Sequence, residues 1–460
     1  MNVGQLIPWG TARRIPIPKR GPQARHRAAV IADGNSLRFT DWLLLTVLAV
    51  AYFISISMPL LGVQLHLSVL NHFPLLLLGP VLALHMLGIS LTRSGLRWAP
   101  VGAVTWPLIV LGLYALIGSS VAKWEFGVDD SYISFGVYLL LLPVFAASVP
   151  GGKERTRSFA TALIVIWVLF SMAAFIGETA RFGNAGLLHE IEYLVAAGLF
   201  VLYYAFRSRA VKFLALVLLI AAAVVNQKLT GYIVCAVALL YIVIVMGWRR
   251  LLPTWRGAYT VGAAIFILTV VAVLATLYFE FRNFLPSGNV DVRTHQYQAA
   301  WRDFIASPVW GHAYLTGSGE DFKSGYSLIY IPTHSDVLDI LKHGGLIGLA
   351  LFAWGYIAIF LTLGRAVAAT RADTLLNAFF VGARFFQVTA LITFSLNPIL
   401  LKGPFLIVIW GNLGLALGLA LRVLAQAQIH SRAAEVSQFP AGALSSPGRW
   451  SGTFKTVAKP

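Results

Sequence analysis

Apolar residues along this chain gather in long runs separated by short polar stretches, and the runs are long enough to cross a bilayer. Read as helices they give about twelve spans. Their cores lie near 41–59, 73–92, 101–121, 132–149, 159–176, 187–206, 212–225, 231–248, 258–279, 345–363, 375–396 and 404–422, the seventh being short. A segment in hydrocarbon must satisfy its own backbone, so repeated runs of this length predict helices rather than barrel strands. The expected fold is an all-α polytopic membrane protein. One connection breaks the rhythm. Residues 280–343, before the tenth span, form a loop of about sixty residues among short ones, and ordered loops of that length usually carry function.

Composition agrees with the pattern, at 58% hydrophobic and 12% charged residues with a mean hydropathy of +0.77. In a soluble chain a net charge of +17 would point to nucleic acid. Its distribution excludes that partner. Connections at 93–100, 150–158, 207–211, 249–257 and 364–373 carry pairs or triplets of Lys and Arg, and those between them carry few. The alternation fits one orientation, with both termini cytoplasmic and the long loop outside. By that assignment the cytoplasmic side takes about 25 of the 35 Lys and Arg and about 5 of the 18 acids, so the positive surplus is topological. Residues 1–40 read as a retained basic cytoplasmic tail, too long and charged for a cleavable signal. Residues 41–423 form the transmembrane domain with its loop, and 424–460, rich in Ala, Ser, Gly and Pro, a disordered cytoplasmic tail. The single cysteine, Cys235, lies in an apolar run, which excludes disulfides and cysteine–metal sites. No metal-ligand spacing is visible elsewhere.

The candidate chemistry gathers in the loop. At its end, Thr333-His334-Ser335-Asp336 follows Pro332 and opens a helix. Thr333 with Asp336 reads as a capping box, and Asp339 as a solvated first-turn acid. His334 would then fall at the first helical position, where the dipole favours a neutral ring able to accept a proton. His295, His312 and His343 read as structural. Gly344-Gly345 marks a kink, a hinge or a simple helix break. Earlier in the loop, Arg293, Trp301 and the Pro308-Val309-Trp310-Gly311 turn suggest an amphipathic surface helix followed by a tight turn. Arg293 is either a phosphate clamp or an interfacial anchor. Within the eleventh span Arg384 costs about 2.5–3.5 kcal/mol to insert, so it should face the bundle interior or water. It is either a structural ion-pair member, with Glu190 and Glu192 as candidate partners, or a contact to a lipid diphosphate aided by Gln387 on the same face.

The order Arg293, Trp301, Pro308-x-x-Gly311, then "THSDVLDILKHGGLIGLALF", resembles the signature loop of the O-antigen ligase and Wzy-type polysaccharide polymerase superfamily. "ARFGNAGLLHEIEYL" is similar to that family's Arg-x-x-Gly segment, through Arg181 and Gly183. "NQKLTGYIV" stands where the family has Ser-Arg-x-Ala, with Lys228 in the arginine's place, and Ala313 replaces the second Gly of Pro-x-x-Gly-x-Gly. The resemblance implies a GT-C-like, metal-independent, inverting glycosyltransferase of the bacterial inner membrane that needs no cofactor. It implies His334 as the catalytic base on the periplasmic side, with Arg293, Lys228 and Arg181 holding the diphosphate. The implied donor is a saccharide on undecaprenyl diphosphate, and the expected acceptor is a second lipid-linked glycan, which makes the enzyme a polymerase; the alternative is a ligase that joins the glycan to lipid A–core. A chain-length regulator and a flippase are the implied protein partners. A transporter or flippase is the rival class, but it predicts broken helices in corresponding halves, and no internal repeat is present.

Overall fold

A computed structural model describes residues 37–60, 80–81, 98–127, 132–179, 192–206, 208–226, 229–250, 253–255, 258, 262, 287–317, 320–324, 327–331, 333–400 and 403–437. The helices among them are α1 (Phe39–Leu60), α2 (Trp98–Phe126), α3 (Ile133–Ala147), α4 (Lys153–Thr179), α5 (Glu192–Ala205), α6 (Arg209–Asn226), α7 (Leu229–Arg250), α8 (Ser287–Ala306), α9 (Asp336–Ala369), α10 (Thr374–Leu396) and α11 (Gly403–Ser437). Among the described residues, five stretches are long and apolar enough to cross a membrane: Trp98–Phe126, Lys153–Ala173, Asp336–Ala369, Thr374–Leu396 and Phe405–Ile429. Phe39–Phe53, Ile133–Ala147 and Thr230–Ile242 are shorter apolar helices. The chain is thus a helical, multi-pass membrane protein. The expected spans at 73–92 and 258–279 fall almost wholly outside the described residues.

Burial around every face of a helix marks it as a bundle core. Here that helix is α11, buried at every position from 405 to 420. It packs against α3 and α9, and its Trp410 stacks on Phe394 of α10 at 5.9 Å. The Trp167 indole N–H of α4 donates to Asn412 of α11 at 2.9 Å. Apolar side chains gain little by leaving lipid for protein, so such fitted polar contacts and close packing fix helix order in a membrane.

The helices alternate in direction between two ends. At one end the buried Arg155 of α4 donates through Nε to the buried Asp41 of α1 at 2.7 Å, and Arg157 approaches Asp373 at 3.7 Å. At the other end the Tyr132 hydroxyl, just before α3, donates to Asp339 of α9 at 2.7 Å. There too Asn397, after α10, donates to Thr230 of α7 at 3.5 Å.

Two features depart from the sequence reading. The loop is not wholly helical: β1 (Glu320–Ser324) and β2 (Ser327–Ile331) pair antiparallel, from Glu320 with Ile331 to Ser324 with Ser327. And α11 continues to Ser437, past the boundary drawn at 423, because its periodic Ala, Leu and Gln residues sustain a helix.

Candidate functional site

The helix-start signal at 333–336 folds differently from the expected capping box. Ser335 is the N-cap of α9, extended at φ −162°, and its hydroxyl accepts from the Leu338 N–H at 3.3 Å. His334 therefore lies just before the helix rather than at its first position. Asp336 has another task. Fully buried, its carboxylate accepts from the Ile399 N–H at 2.8 and 3.0 Å and from the Leu400 N–H at 3.1 Å. It thus caps the turn between α10 and α11 rather than its own helix. Asp339 is not solvated either: it is fully buried and holds the Tyr132 hydroxyl.

His334 is clasped by α8. Its Nδ1 lies 2.9 Å from Oε1 of Gln296, itself 2% exposed, and its carbonyl accepts from the Tyr297 hydroxyl at 3.1 Å. An amide oxygen only accepts, so Nδ1 carries the proton and Nε2 the basic lone pair. Arg293 precedes Gln296 and Tyr297 by three and four residues, which puts it one helical turn along the same face. The far end of α8 is fastened by Asp303, whose carboxylate pairs with the buried Lys342 at 2.9 Å. His312 donates through Nε2 to the Asp303 carbonyl at 3.2 Å.

The Pro308–Gly311 turn and the Gly344-Gly345 pair prove to be one device. Gly345 breaks α9 at φ +59°, and the turn docks into the break: the Leu346 and Ile347 N–H groups donate to the Pro308 and Val309 carbonyls at 2.9 and 3.3 Å. Gly311 stands at φ +63° with its Cα against the His343 carbonyl, so neither glycine has room for a side chain. Ala313 and Tyr314 follow at φ +53° and +59°, so Ala313 keeps the left-handed backbone that a glycine there would favour. Tyr314 is buried against Tyr132 and the fully buried His343, at ring distances of 5.3 and 5.6 Å. Burial, with Tyr114 and Asp339 adding their charge, holds its phenol well above the ordinary value.

Residues 214–353 match a family model described as O-antigen ligase. Over that segment the chain is similar to the O-antigen ligase family. No curated protein matches it. The matched stretch runs from within α6 through α7, α8, the hairpin and the kink of α9. The Asp336 clamp on Ile399 and Leu400 therefore ties the matched segment to residues beyond its boundary.

Of the residues singled out in the sequence, the structure brings His334 and Arg293 to one face of α8. Lys228 and Arg181 lie outside the described residues. Thr230, two residues past Lys228, reaches the His334 end through Asn397. Arg384 is remote from this cluster: on α10 it stacks over the Phe360 ring of α9 at 4.0 Å, and its Nε has no hydrogen-bond partner among the described residues. Gln387 does not assist it. Its amide N–H donates to the Tyr356 carbonyl at 2.6 Å while the Tyr356 hydroxyl donates to the Gln387 carbonyl at 2.6 Å. The side chains of Glu190 and Glu192 are outside the described set. Gln296, Tyr297 and Lys342 escaped the sequence reading. Only the three- and four-residue spacing from Arg293 marked the first two.

Proposed function

We propose that the chain is an inner-membrane glycosyltransferase that moves a glycan en bloc from undecaprenyl diphosphate to an acceptor hydroxyl, at the periplasmic end of the bundle marked by His334. The acceptor oxygen bonds to the anomeric carbon from the face opposite the leaving group, which inverts the centre. The carbon–oxygen bond to the diphosphate breaks as the hydroxyl proton passes to His334 Nε2. Undecaprenyl diphosphate departs with its negative charge on Arg293, Lys228 and Arg181. A diphosphate leaving group needs cations at its oxygens rather than a strong acid, which suits this basic set.

The observation that carries the reading is the Gln296–His334 pair at 2.9 Å, which leaves Nε2 as the basic nitrogen of a ring placed one turn from Arg293. The acceptor defines two versions. The first is a polymerase, extending a second lipid-linked glycan. The second is a ligase to lipid A–core, and the matched family is compatible with either.

Purified protein supplied with a lipid-linked donor and each acceptor in turn tests both. Product on lipid-linked glycan alone supports the polymerase, and product on lipid A–core alone the ligase. Transfer to neither overturns the reading. His334→Ala should insert and fold normally yet form no product. Arg293→Ala should lose about 2–4 kcal/mol of transition-state stabilisation, roughly 30- to 1,000-fold in rate. Wild-type turnover in both variants would remove these residues from the mechanism.

A further inference from the structure

At the end of the bundle opposite His334, the first turn of α4, the α9–α10 connection, the end of α5 and the later turns of α11 enclose a cavity of about 920 Å3. Its walls have two characters. Lys153, Arg157 and Asp373 line one part, and Leu375, Leu376 and Val423 the other. The charges do not cancel. Oδ1 of Asp373 is committed to capping α10, accepting from the Leu375 and Leu376 N–H groups at 3.1 and 3.2 Å. Its Oδ2 lies 3.7 Å from Arg157, whose side chain is half exposed. Lys153 has no ion-pair partner among the described residues, and neither has the exposed Arg371 beside the cavity. Glu154, exposed on the same turn of α4, does not line the cavity, and Asp41 is taken up by Arg155.

The cavity also lies at a defined depth. It opens where the candidate spans α9 and α11 end and α4 and α10 begin, which is the level of lipid headgroups on one leaflet. Basic pockets between spanning helices at that level suit acidic headgroups. A free inorganic anion would use the cations and leave the apolar wall wet.

We infer that this cavity binds a phosphate ester, with Lys153 and Arg157 on the phosphate, and that its source is an anionic phospholipid whose acyl chains follow the Leu375, Leu376 and Val423 wall. The inference is independent of the transfer reaction proposed at the other end.

Full-length protein in neutral detergent, examined by native mass spectrometry and thermal unfolding, provides the test. The probes are phosphatidylglycerol, phosphatidylcholine and glycerol 3-phosphate. Phosphatidylglycerol should be retained and should raise the unfolding temperature, phosphatidylcholine much less. Lys153→Ala should weaken retention several-fold, and Lys153→Ala with Arg157→Ala roughly 30-fold. Arg157→Ala also loses the contact to Asp373, so Lys153→Ala alone is the variant that cannot act through lost folding contacts. Glycerol 3-phosphate bound as tightly as the lipid would support the phosphate site and assign it to a soluble ligand. Equal retention of both lipids, or retention unchanged in the double variant, overturns the inference.

Discussion

With Nδ1 committed to Gln296, His334 keeps one tautomer, and in the proposed transfer the residue that enforces it acts only through the ring. Replacing that amide is therefore more informative than removing the histidine. Gln296→Glu puts a carboxylate against the ring and favours the imidazolium, so the acid limb of kcat/KM should move to higher pH. Gln296→Ala should lower kcat without that displacement. A pH–rate profile unchanged in both would make the contact merely structural. Tyr314 gives a second case. Its buried hydroxyl has no hydrogen-bond partner among the described residues, so Tyr314→Phe should stabilise the protein by about 1 kcal/mol at neutral pH. The sign at high pH follows from a folded phenol held above its ordinary value of 10.0. The wild type keeps its full stability below pH 10 and loses some as pH rises beyond it, because only the unfolded phenol ionises there. The advantage of Tyr314→Phe should widen above pH 10, as read by chemical denaturation across that range. Neither residue was legible as important in the sequence, since a Gln or Tyr on a helical or turn surface carries no local signal of its partner.

Among the elements, the kink of α9 and the turn that fills it are the least tolerant of change. At Gly345 an added Cβ meets the Val309 carbonyl oxygen at a positive φ. Gly345→Ala should therefore cost about 3 kcal/mol. Trimming Val309 should not rescue it, because the clash is with backbone. Gly348→Ala, one turn on, meets nothing closer than 3.6 Å and should be neutral or stabilising. Comparable unfolding temperatures for the two variants would contradict the interlock. The sequence showed both glycine-bearing motifs but not that they are one object, because the docking hydrogen bonds from Leu346 to Pro308 and from Ile347 to Val309 each join residues 38 positions apart. Asp336 and Asp339 were misread for a related reason. A carboxylate in a first helical turn looks like a cap or a solvated acid, and their partners at Ile399 and Tyr132 leave no trace nearby. The hairpin left a faint one: Leu328, Ile329, Tyr330 and Ile331 of β2 are residue types that suit a strand.

At the scale of the whole molecule, hydropathy and charge carried most of the information, since lipid punishes any unpaired backbone and fixes helix as the element. The alternation of helix direction expected from basic connections recurs in the contacts at the two ends. Sidedness is directly testable because the native Cys235 is buried, so background labelling should be low. Thr316→Cys, exposed at the His334 end, should react with an impermeant thiol reagent applied to intact cells, and Ser208→Cys, exposed at the other end, should not. The reverse pattern would place the candidate base in the cytoplasm and remove the donor from its reach.

The clamp from Asp336 to Ile399 and Leu400 spans 63 and 64 positions of chain, and that distance is also an interval of synthesis. Every residue of the matched segment has been made, and His334 with it, well before the two N–H groups that hold Asp336 exist. Until then a carboxylate destined for full burial has no backbone donors from that turn, although Tyr132 and Asp303 already hold the same short helix at Asp339 and Lys342. The nascent protein thus passes through a stage in which the matched segment is complete and its clamp is not. A chain ended after Leu396 should retain residues 214–353 intact and transfer nothing, even when it inserts. Competence would arrive abruptly, with the last helix.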